Sequence, residues 1–204
     1  MSSTLYTIGH SNHEAKVFID LLHGHAITAV VDVRSHPYSR YVPHFSSESL
    51  QAALINEKIT YVFLGKELGA RSDNPACYKD GKVQYDRLAQ EPHFLRGLER
   101  VQQGMKEYRI ALMCSEKDPL ECHRAILIAH RLFEVGVDVR HIHADGSLES
   151  QHKMESRLLS AFNLPEGDMF TKREEHIAQA YELQEARIAY TDDSMKKSER
   201  ALAV

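Results

Sequence analysis

The chain has 204 residues, a net charge of -4 and three cysteines, enough length for one domain with an extension and a substantial core. This balance excludes a generally basic surface, so nucleic acid would have to be met by a local patch, and three cysteines exclude a disulfide scaffold. No apolar run approaches the roughly 20 residues of a membrane-spanning helix. Met1-Ser2-Ser3-Thr4 leads straight into an apolar run and leaves no room for a signal peptide. The expected setting is therefore a reducing cytoplasm.

Leu5-Tyr6-Thr7-Ile8 reads as a first strand ending in Gly9-His10-Ser11. Ser11 and Glu14 have the spacing of a capping box, and Phe18, Leu21 and Leu22 repeat at helical spacing up to Gly24. Residues 29–33 are valine-rich without alternation, as a strand buried on both faces should be, and end in Asp32-Val33-Arg34. Pro37 and Pro43 keep the next stretch in a loop. A helix is expected over 47–56 and a strand over 60–63. Residues 65–91 are irregular, with Asn74-Pro75 and Asp80-Gly81 as turn signals. Pro92 opens a helix striped by Leu95, Leu98 and Val101. Residues 109–113 form a strand that runs into Cys114-Ser115-Glu116. Asp118-Pro119 then reads as the start of a helix that continues to Gly136, and 137–142 is a fifth strand. Helical stretches over about 148–162 and 171–189 complete the chain.

Strand and helix alternate throughout. The pattern predicts an α/β fold: a Rossmann-like three-layer sandwich with a mostly parallel sheet and a C-terminal helical extension. The expected division is an α/β domain over 1–146 and a helical extension over 147–204, packed on the domain or on a partner. In such sheets ligands bind at the carboxyl edge, where each strand ends in a reactive group.

Cys114 is the foremost candidate there. A helix start just beyond it would bind anions and favour the thiolate; alternatively Cys114 is the last buried residue of its strand. His10 is a candidate acid/base, and Asp32 is a candidate catalytic residue that would hold Arg34 in place. Ser11, Arg34, Arg40, Glu116, His123 and Arg124 are candidate substrate-binding residues, with the arginines as anion clamps. His10, Asp32 and Ser11 are equally readable as structural residues. Loop residues Tyr38, Arg40, His44 and Phe45 mix cations and aromatics in a way that suits a nucleobase and phosphate. A metal is not expected: there is no Cys-x-x-Cys pair, and neighbours on a helix such as Cys122 and His123 point roughly 100° apart.

Tyr6-Thr7-Ile8-Gly9-His10-Ser11, Val31-Asp32-Val33-Arg34-Ser35 with Pro37 and Arg40, and Met113 to Pro119 with Cys122-His123-Arg124 together resemble domain-of-unknown-function family 488. The likeness extends to residues 61–69 and, in the extension, to Ala178-Gln179-Ala180-Tyr181 and Arg187-Ile188-Ala189-Tyr190. It implies a compact α/β fold and supports the strand-end groups as site residues. It implies no particular reaction. A looser similarity to rhodanese-like and cysteine-phosphatase sites breaks at their arginine, whose position is held here by Leu120. The functional expectation is an enzyme, a hydrolase or group transferase, that acts on an anionic small molecule or nucleic acid. Its alternatives are a non-catalytic nucleic-acid or anion-binding module and a metal-dependent hydrolase.

Overall fold

The computed structural model describes residues 4–167 and 171–196. Met1 to Ser3 and the last part of the 147–204 extension lie outside these described residues. β1 (Thr4–Gly9), β2 (Ala29–Asp32) and β3 (Thr60–Phe63) are joined by α1 (Ala15–Gly24) and α2 (Ser47–Asn56). Next come α3 (Gly65–Leu68), a hairpin of β4 (Tyr78–Lys79) and β5 (Lys82–Val83), α4 (Tyr85–Leu88) and α5 (Pro92–Gly104). The Asp80-Gly81 turn has both residues at positive φ, 53° and 74°, as a two-residue hairpin loop demands. β6 (Ile110–Cys114) is followed by a π-helical segment (Arg124–Ala129) that continues as α6 (His130–Glu134). β7 (Asp138–Ile142), β8 (Leu148–Ser150), α7 (Gln151–Ala161) and α8 (Arg173–Ile188) complete the order.

The main sheet runs β3-β2-β6-β1-β7-β8. All its pairings are parallel except the antiparallel edge of β7 with β8. Side chains alternate between two cores. Tyr6, Ile8, Val30, Ala111 and Met113 pack with Phe18 and Leu22 of α1 and Leu50 and Leu54 of α2. Leu5, Ala29, Val31 and Leu112 pack with Phe94 and Val101 of α5, Leu127 of the π-helical segment, Leu158 of α7 and Ala180 of α8. Both faces are thus covered, which explains strands without a polar side.

This layering positions the site. The chain leaves β1 and β2 toward one face and leaves β6, which lies between them, toward the other. Such a reversal opens a crevice at the strand ends. The three strands also end level, with Gly9 opposite Cys114 and Asp32 opposite Met113.

Three local expectations are corrected. Ser11 does not cap α1: its φ is 48° and its amide donates to Ser115 O at 2.9 Å, so it belongs to the strand-end crossing. Asp118 caps only a three-ten turn, Pro119–Glu121, and Cys122 is extended at φ -140°, ψ 135°, before helix resumes at Arg124. The stretch from 148 opens as β8, because its residues pair with β7 before α7 begins. Beyond that, α8 buries Ala180, Tyr181 and Gln184, and Gln184 donates to Leu120 O at 2.8 Å. No helix among the described residues is long and apolar enough to cross a membrane.

Candidate functional site

A cleft of about 240 Å³ opens at the end of β6. Its walls include Arg34, Cys114, Glu116 and His123 from the expected set. Sequence reasoning missed Ser35, His36, Arg71, Tyr85, Glu121 and Tyr190, which also line it. Arg71 came from the irregular stretch, and its guanidinium lies 4.2 Å from the centre of the Tyr190 ring. Tyr190 reaches the cleft because Val83 N donates to Tyr190 O at 3.0 Å, pinning the extension to the small hairpin. The only signal for it in the sequence was the family-like Arg187 to Tyr190 tail.

Behind the cleft wall lies a buried ion pair. Arg34 grips Asp32 with Nε to Oδ1 at 2.9 Å and Nη2 to Oδ2 at 2.6 Å, while Nη2 also donates to Phe45 O at 2.9 Å. Tyr61 donates its hydroxyl to Asp32 Oδ2 at 2.8 Å. Arg34 Nη1 lies 3.1 Å from His10 Nε2, and His10 Nδ1 lies 2.8 Å from Ser11 O. The two contacts fit one neutral tautomer: Nδ1–H donates to the carbonyl and Nε2 accepts from the guanidinium. Burial and the Arg34 charge lower the His10 pKa to about 4. The ring stacks on Phe45 with centroids 4.4 Å apart. His10 and Asp32 therefore stand behind Arg34 and do not line the cleft.

Arg124 and Arg40 do not line it either. Arg124 is fully buried, and its Nη1 and Nη2 donate to Glu116 O at 2.6 Å and Lys117 O at 3.3 Å. It clamps the loop after β6. Arg40 is exposed and lies over the Tyr41 ring at 5.0 Å.

At the cleft, Cys114 and His123 belong to a sulfur–imidazole cluster completed by Cys122. His123 Nδ1 lies 3.7 Å from Cys114 Sγ and 3.9 Å from Cys122 Sγ. Its Nε2 lies 3.1 Å from Val33 O. Glu116 is exposed as a residue, yet its Oε2 reaches within 2.8 Å of Cys122 Sγ. The hydrogen bond to Cys122 and burial push the Cys114 thiol up. Burial acts against ionising Cys122, but Cys114, Arg124 and His123 outweigh it and hold that thiol down. His123 is raised in turn, because Cys122 and Glu116 overcome the cost of burying its charge.

The expectation that Cys122 and His123 diverge rested on a helical backbone at Cys122, and this is corrected. With Cys122 extended, both side chains turn toward Cys114. Among the described residues these three form a group whose donor atoms all lie within 4.8 Å of one another.

No curated protein and no solved structure matches the chain. The model of the family described as domain of unknown function DUF488 matches residues 14–130, a span that holds β2, β6, Arg34 and the whole sulfur–imidazole cluster. By that match over more than half its length, the chain belongs to the DUF488 family.

Proposed function

We propose that the protein is an enzyme that performs hydrolysis or group transfer on an anionic substrate bound in the cleft at the end of β6. One observation carries this reading: the Cys114–His123 pair, 3.7 Å apart, lines the same cleft as Arg34 and Arg71. Arg34 is held by Asp32 and supplies fixed positive charge, and Arg71, stacked on Tyr190, offers a second clamp. Exposed Tyr38 and Tyr41, with Arg40 between them, lie on the loop that continues from the Arg34 to His36 wall. Their flat faces suit a nucleobase, which favours a nucleotide-like substrate.

The test is a turnover screen with chromogenic phosphomonoesters, phosphodiesters, carboxylate esters and nucleotides. For a substrate that turns over, Cys114→Ser lowers kcat by about a hundredfold or more, and Arg71→Ala raises KM roughly tenfold with kcat little changed. Circular dichroism of both variants matches the parent. Full turnover in Cys114→Ser removes the reading.

A further inference from the structure

We propose that Cys114, Cys122 and His123 bind one divalent metal ion of the zinc class, which deepens the reading above and rests on it for the use of the site, though not for the binding itself. The donor spacing is the first argument. Metal–sulfur and metal–nitrogen bonds of about 2.3 and 2.0 Å in a tetrahedron give sulfur–nitrogen edges of roughly 3.5 Å. The two edges here are 3.7 and 3.9 Å, long for hydrogen bonds and close to that geometry.

Orientation is the second argument. Nε2–H of His123 donates to Val33 O at 3.1 Å, which fixes the ring and leaves the Nδ1 lone pair facing both sulfurs. Ligating histidines are held by such an outer hydrogen bond on the other nitrogen. The backbone N–H of Arg124 donates to Cys122 Sγ at 3.4 Å and supports that sulfur as a thiolate.

Rigidity is the third. Cys114 ends a buried strand, and the Arg124 side chain ties the intervening loop by its carbonyls. The Asp118-capped turn then sets the extended backbone that aims Cys122 inward. A pair of thiols packed only as hydrophobes has no need of imidazole, carboxylate and amide around it. Two thiolates and an imidazole select zinc over the hard cations. Three protein ligands also leave a fourth position open, as in catalytic zinc sites. Cys114 and His123 both line the cleft, so a water in that position meets the substrate, and the nearby Glu116 carboxylate accepts its proton.

The experiment uses the full chain carried on a tag that binds no metal and purified under reductant. Elemental analysis finds about one zinc per chain. Replacement by Co²⁺ produces thiolate-to-cobalt charge-transfer bands in the near ultraviolet together with the visible bands of a tetrahedral site. Cys122→Ser and His123→Ala weaken Zn²⁺ binding by about a hundredfold or more, while Cys77→Ser, a buried cysteine outside the cluster, retains the metal. Should the ligand variants fail to fold, the cobalt spectrum of the unaltered chain decides alone. A reduced chain that neither retains zinc nor develops thiolate–cobalt bands overturns the proposal, as does a Cys114–Cys122 disulfide whose reduction restores no metal binding. Metal binding without turnover on any anionic substrate sinks the enzyme reading and leaves this one standing. Undiminished turnover in metal-free protein removes the metal's part in the reaction and leaves both the binding and the enzyme reading standing.

Discussion

At the scale of single residues, the Asp32–Arg34 pair decides most. Both side chains are buried, and removing one partner of a buried pair leaves an uncompensated charge. Asp32→Ala is therefore expected to destabilise the protein by about 3–5 kcal/mol, read as a lowered urea midpoint. Tyr61 loses its acceptor in the same variant. The double variant Asp32→Leu, Arg34→Met carries no stranded charge and is expected to be less destabilised than Asp32→Ala. A double variant that loses more would show that the hydrogen bonds of Arg34 to Phe45 O and His10 matter beyond its charge. Aspartate and arginine at a strand end were visible in the sequence as an ion pair or a site. The structure puts Arg34 in the lining of the cleft and Asp32 behind it.

At the scale of elements, the site depends on how the loop after β6 crosses the end of β1. A Cβ built on Gly9 would fall 1.9 Å from Glu116 O and 3.2 Å from Arg124 Nη2. The obstacle is backbone held by Arg124, so it cannot swing aside as a side-chain tip would. Gly9→Ala is expected to cost at least about 2 kcal/mol, with a fall in thermal midpoint to match. An unchanged midpoint would mean that the 115–117 loop moves freely, and the clamp role of Arg124 would go with it. Most elements were readable locally. The 47–56 helix, the 60–63 strand and the Asp80-Gly81 turn follow from period and turn chemistry, which act over a few residues. The break at Cys122 was not readable, because proline and aspartate at 118–119 start a three-ten turn as readily as a helix.

At the scale of the whole molecule, three histidines are folded in as neutral rings. Burial, first among the causes, lowers the pKa of His10 and His130 to about 4 and of His141 to about 3. His141 bridges the sheet to α7, with Nδ1 at 2.8 Å from Thr7 Oγ1 and Nε2 at 2.9 Å from Gln151 Oε1. In the unfolded chain each ring protonates near pH 6.5. Between that value and the folded pKa the unfolded state binds more protons, so stability falls as pH falls through this window. Each ring contributes on the order of a few kcal/mol. From these three rings the urea midpoint is expected to drop steadily from about pH 6.5 to 4. A midpoint constant from pH 7 to 5 would contradict neutral burial of these rings. The extension belongs to this scale too, since Tyr190 supplies cleft wall far along the chain from the strand ends it faces.

The sequence by itself determined the alternation of strands and helices, the burial of the sheet on both faces and the edge at which reactive residues gather. Those properties arise from hydrophobic period, turn residues and chain direction, each set by neighbours along the chain. Only the tertiary structure decided which reactive residues share a space. Arg34 faces the cleft while Asp32 and His10 support it from behind; Arg124 serves its own loop; Cys122 joins Cys114 and His123. Those outcomes depend on one non-helical residue and on packing between segments remote in sequence, where no local rule applies.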